Sequence, residues 1–92
     1  MKVTFDPAAS DDLDRAFAWI AHDNPRAAFE LIERIRARVL RLETPQLTYM
    51  GRPGLVSGTR ELVEWPYIIV YRVDEELGEI VVTAVVHGAR DR

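Results

Sequence analysis

Cysteine is absent from the 92 residues. That excludes disulfides and thiolate metal sites. There are two histidines, His22 and His87, far apart in the chain, so no structural zinc site is expected and no cofactor is implied. Lysine is nearly absent as well: Lys2 stands alone against eleven arginines. The net charge is −3 and the pI about 5.3, which argues against bulk attraction to nucleic acid, a process that needs many phosphate contacts. The N-terminal Met-Lys-Val-Thr-Phe runs straight into Asp6-Pro7. It is neither a signal peptide nor a membrane span, so the expectation is a cytoplasmic protein with no membrane partner. Nothing repeats internally, and no segment is low in complexity.

A chain of this length predicts one domain, residues 1–92. Its stability is expected near the floor of the usual ~5–15 kcal/mol, where a partner that binds only the folded state helps most. Lys2 to Phe5 reads as a strand with Val3 and Phe5 on one face. Asp6-Pro7 opens a helix, with the Asp as cap and Pro where no N–H is needed. Ala9, Leu13, Ala16, Phe17 and Ile20 form its apolar stripe, and Asp11, Asp12 and Asp14 suit the positive end of its dipole. Asn24-Pro25 repeats the start signal. It predicts a second helix to about Leu42, with a stripe of Ala28, Phe29, Ile32, Ile35, Val39 and Leu42. The short connection between the two predicts an antiparallel helix hairpin.

Thr44 to Ser57 reads as irregular, punctuated by Pro45, Gly51, Pro53 and Gly54. Strands are expected at about 58–65, 67–73 and 79–87, with Pro66 in the first turn and 74–78 in the second. Their short turns predict a three-stranded antiparallel meander. The fold class is therefore α+β: an N-terminal strand, an antiparallel two-helix hairpin and a three-stranded C-terminal antiparallel meander. Ile80 to Val86 is apolar on both faces and belongs on an inner strand. Part of the second sheet face is expected to be covered by another chain.

The meander carries cations that folding does not require: Arg60, Arg72, His87 and Arg90. The structural alternative for Arg60 and Arg72 is cross-strand pairing with Glu61, Glu64 or Glu79, worth about 0–1 kcal/mol when exposed. His87 could simply end its strand, with Gly88 permitting the turn. Trp19 is expected to pack. Trp65 is either packing or an exposed anchor for a partner. Arg34, Arg36, Arg38 and Arg41, interspersed with Glu30, Glu33 and Glu43, read as a solvated helix face; Glu30 and Arg34, four apart, attract. Gly51-Arg52-Pro53-Gly54 lacks the spacing of a phosphate loop.

Ala9 with Asp12-Leu13, Asn24-Pro25, Gly51-Arg52-Pro53-Gly54, Thr59-Arg60-Glu61-Leu62, Ile69-Val70-Tyr71-Arg72-Val73 and Val86-His87-Gly88-Ala89-Arg90-Asp91 follow one another over about eighty residues. In this order they resemble the RelE/ParE superfamily of type II toxin–antitoxin toxins. The resemblance implies that toxin fold, a small bacterial toxin, and a ParD-like antitoxin bound to it in a hetero-oligomer. It implies one of two targets. RelE-like members cut messenger RNA in the ribosome. There Arg60, Arg72, His87 and Arg90 would supply the cations and proton transfers that phosphodiester cleavage needs, with Glu61 or Glu64 as a base. ParE-like members inhibit DNA gyrase. No lysine follows Lys2 and no tyrosine follows Tyr71, so the lysine cluster and late tyrosine of the ribonuclease branch are missing. The ParE-like branch is the closer match: a gyrase inhibitor without chemistry of its own or direct nucleic-acid binding, with ribosome-dependent cleavage as the alternative. Arg52, Arg60, Trp65, Arg72, His87 and Arg90 are then the expected partner-binding residues.

Overall fold

A computed structural model describes residues 1–90; Asp91, the last residue of the C-terminal motif, lies outside them. The chain forms β1 (Lys2–Phe5), α1 (Pro7–Ala21), α2 (Pro25–Leu40), two single 3₁₀ turns (Arg41–Glu43 and Pro45–Leu47), β2 (Arg52–Pro53), β3 (Arg60–Glu64), β4 (Tyr67–Asp74) and β5 (Glu79–His87). The sheet order is β1-β5-β4-β3-β2. β3, β4 and β5 are the expected antiparallel meander. β1 closes its far side by pairing parallel to β5, Val3 beside Ile80 and Phe5 beside Val82. The apolar run Ile80–Val86 thus lies between β1 and β4, as its composition demands.

The sheet has five strands rather than four. β2 was missed because it is two residues long and contains Pro53, so it carries no periodicity. The first meander strand begins at Arg60 rather than 58. The second helix proper stops at Leu40, and a tighter turn carries Leu42 into the core.

One sheet face packs on the helices. Ala9, Leu13 and Ala16 of α1 and Leu31, Ile35 and Val39 of α2 meet Leu62, Ile69, Tyr71, Ile80 and Val82. The buried stripe of α2 runs Ala28, Leu31, Ile35 and Val39, and Leu42 continues it from the turn that follows. Phe29 is not in it: it is 62% exposed and touches Phe17 edge-on, with ring centroids 5.1 Å apart. The sequence offered two apolar phases for this helix, and the larger residue lost to the better-centred one. Trp19 is likewise 67% exposed rather than packed, because it falls outside the α1 stripe.

The helix starts differ in their caps. Asn24 accepts from the Ala27 N–H at 3.1 Å. Asp6 makes no side-chain cap; its own N–H donates to the Val82 carbonyl at 2.9 Å and stitches the start of α1 to the sheet.

β5 carries a bulge. Val70 pairs with Ala84 but Tyr71 pairs with Val82, which leaves Thr83 outside the register, its hydroxyl donating to the Val70 carbonyl at 3.4 Å. The outer edge of β1 is partly closed from the helical side, where the Glu43 carboxylate accepts the Val3 N–H at 2.8 Å. Glu43→Ala is expected to cost about 1.5–3 kcal/mol, the worth of a hydrogen bond to a charged group. A urea titration should show a lowered midpoint with unchanged slope. An unmoved midpoint would mean water replaces the carboxylate without loss.

Candidate partner-binding site

Tyr71 organises the end of the sheet from which the cations were expected to act. It is fully buried. Its hydroxyl donates to the Thr48 carbonyl and accepts the Gly51 N–H, both at 3.0 Å. Gly51 is glycine for want of space: a Cβ there would lie 2.7 Å from the Glu61 carbonyl and 2.8 Å from the Tyr71 ring. Arg60 belongs to the same hub, its Nε donating to the Gly51 carbonyl at 2.8 Å, with the guanidinium 6.0 Å from the Tyr49 ring centroid. Tyr49 donates to Glu75, and that carboxylate raises the phenol above its ordinary value of 10.0.

The other expected residues lie elsewhere. Arg52 pairs with the buried carboxylate of Glu61 at 3.1 Å. Arg72 is on the sheet face away from the helices and approaches Asp74 at 3.7 Å. His87 is half-buried and meets the Tyr67 ring edge-on at 5.3 Å. Arg90 stacks on the exposed ring of Trp19 at 4.9 Å. Trp65 is 69% exposed at the β3–β4 turn. Glu64 receives Arg34 at 3.1 Å and Arg38 at 3.5 Å, tying α2 to β3. Arg34 is thus paired across to the sheet rather than with Glu30, while it, Arg36 and Arg41 remain exposed as expected of a solvated face.

The four cations do not converge. Arg60 sits beside Tyr71 and His87 beside Tyr67, four residues apart on β4; at roughly 3.3 Å per residue that is about 13 Å. Arg72 points from the opposite face, and Arg90 turns back to α1. General acid–base chemistry needs its groups within about 3 Å of the protons they move.

An open groove of about 920 Å³ lies between α1 and the C-terminal part of β5. Trp19, Ala16, Tyr67, Val85 and Val86 give it apolar walls, and Asp12, Arg15, Asp23 and Arg90 its charged rim. Asp12 holds its two sides together, accepting the Val85 N–H at 2.9 Å while also meeting Arg15. Sequence reasoning placed Asp12 at a helix dipole and missed this role; its pairing with a strand 73 residues away leaves no local signal. Among the described residues no group of three His, Asp or Glu side chains could hold a metal, and no helix is long and apolar enough to cross a membrane.

Residues 3–92 match the family described as "ParE toxin of type II toxin-antitoxin system, parDE". The protein named "Putative toxin Y4kP" from Sinorhizobium fredii is 40% identical over 67 residues, spanning 71% of this chain and 68% of that one. The fold superposes on a chain of the chromosomal ParDE toxin–antitoxin system from P. aeruginosa with a TM-score of 0.81. The identity is 26%, with 95% of each chain covered. It also superposes on a chain of the toxin–antitoxin complex RelBE2 from Mycobacterium tuberculosis with a TM-score of 0.61 and 25% identity. That alignment covers 94% of this chain and 95% of the other.

Proposed function

We propose, on the premise that the chain belongs to the ParE toxin family of type II toxin–antitoxin systems, that it acts in the cytoplasm as an inhibitor of DNA gyrase and is neutralised by a ParD-like antitoxin. The observation that carries the choice of target is the dispersal of the cations. Arg60 braces the loop at Gly51, Arg52, Arg72 and Arg90 are each engaged separately, and His87 lies about 13 Å along the sheet from Arg60. Such a layout suits a surface that occupies another protein better than one that cleaves a phosphodiester. The antitoxin reading draws on the toxin–antitoxin systems to which the two matched structures belong. Exposed Trp19 and Trp65 are suitable anchors, since indoles carry a disproportionate share of interface energy.

The test sets the purified chain against gyrase with relaxed plasmid, and in parallel against a programmed ribosome. Loss of supercoiling with intact messenger is the expected result. Under this reading Arg72→Ala and His87→Ala each leave gyrase inhibition within about tenfold, because neither is asked to move a proton. Loss of a general acid or base would instead cost about 10²–10⁴-fold. Messenger cut at codon positions, with gyrase unaffected, would reverse the assignment to the RelE-like alternative.

A further inference from the structure

The sheet covers some of its outward-facing edge groups with side chains and leaves others uncovered, among them one position on β3. Backbone pairing alternates, and the turns fix its phase: Gly54 N–H meets the Thr59 carbonyl, so Glu61 faces β2, and Val63, two residues on, faces the same outer side. β2 leaves the ladder there: the Met50 N–H, next in phase to meet Val63, donates to the Leu47 carbonyl at 3.0 Å instead. Several other outward-facing groups are covered. Glu43 caps Val3, Asp12 caps Val85, and the Arg90 N–H takes the His87 carbonyl. Among the described residues, no side chain is hydrogen-bonded to the Val63 N–H or C=O. Proteins guard such edges because an unpaired row recruits another strand.

The surroundings of this gap are charged on one side and apolar on the other. Toward the helices, Arg34 and Arg38 share the single carboxylate of Glu64, which leaves one positive charge uncompensated. The Nε of Arg38 is buried without a hydrogen-bond partner among the described residues. On the opposite sheet face stands Val63, and the exposed indole of Trp65 follows at the β3–β4 turn. Side chains of an added strand would alternate between these two sides.

We infer that the free edge of β3 at Val63 is a strand-addition site for an extended partner segment alternating acidic and apolar residues. The acidic ones would meet Arg34 and Arg38, and the apolar ones Val63 and Trp65. Resting on the toxin reading above, the occupant is the tail of the antitoxin. A second copy fits poorly, since two-fold pairing about Val63 would bring two arginine flanks side by side.

The test uses the full chain and an acetylated, amidated octapeptide of alternating Glu and Val, followed by amide exchange at Val63. The peptide is expected to slow that exchange at least tenfold. A Lys-Val peptide should fail to do so, as should the Glu-Val peptide N-methylated on the edge it presents. Val63→Pro, which removes the outward donor, should abolish binding. If that variant does not fold, the N-methylated peptide decides. Equal binding by the N-methylated peptide, or protection confined to the β1 or β5 edge, overturns the site. So does a homodimer that protects Val63 as concentration rises. The product of the adjacent gene separates this inference from the reading it rests on. A complex in which Val63 exchanges as in the free chain defeats the inference and leaves the antitoxin in place. No complex at all defeats the antitoxin reading, and the occupant with it, while the peptide still decides the edge.

Discussion

Tyr71→Ala is expected to leave the domain unfolded or nearly so at room temperature. Removing a large buried aromatic side chain costs about 3–5 kcal/mol. Here the Gly51 N–H and the Thr48 carbonyl would also lose their partner, each at about 1–3 kcal/mol when buried. Against a total near the floor of ~5–15 kcal/mol, little stability remains. Tyr71→Phe isolates the hydroxyl: packing stays, and the expected loss is about 1–3 kcal/mol, or very roughly 4–24 °C in Tm at about 4–8 °C per kcal/mol for a domain this size. Thermal unfolding followed by circular dichroism reads both variants. If Tyr71→Phe melts with the parent, the hydroxyl is not the fastening that positions Gly51, and the account of the Arg60 hub falls with it.

Asp12→Ala carries the second large effect. The carboxylate bonds the Val85 N–H of β5 from α1, and a hydrogen bond to a charged group contributes about 1.5–3 kcal/mol. β5 runs on past the last residue of β1, which pairs only up to Val82, so the same substitution bares backbone in the most apolar strand of the molecule. The variant should therefore lose stability in denaturant and also scatter light at concentrations where the parent does not. Asp12→Asn keeps an acceptor and should recover much of both losses. Parent-like stability in Asp12→Ala would show that water serves Val85 equally well.

How much of this was legible depended on the range of the interaction concerned. Asn24-Pro25, the stripe through Leu13 and Ile35, and the meander with its turns are local patterns, and the structure follows them. The doubly apolar run Ile80–Val86 required neighbours on both sides and has them. The failures share a cause. Phe29 and Leu31 are both apolar, and only the packed sheet decides which is turned inward. Two-residue β2 exists because β3 offers it an edge. The toxin family was readable from ordered short motifs. The placement of the cations was not: Arg60 and Arg72 lie within one thirteen-residue stretch of the sequence yet belong to opposite sheet faces.

Thr83 makes the most of a single residue. Before it, the even-numbered side chains of β5, Ile80 and Val82, lie under the helices; after it, the odd-numbered Val85 does. The strand therefore changes parity midway, and the count of residues between its two halves is as much a part of the design as their chemistry. Any one of the valines around the bulge can be exchanged for another apolar side chain at modest cost, about 1.5 kcal/mol or less for a swap that conserves volume. Were the bulge ironed out with the residue count unchanged, either Val85 or the Ile80–Val82 pair would be turned away from the helices, with every amino acid type in the segment still acceptable on its own. Loss of Thr83 would instead keep the two halves in step, since Val82, Ala84 and Val85 would then alternate regularly.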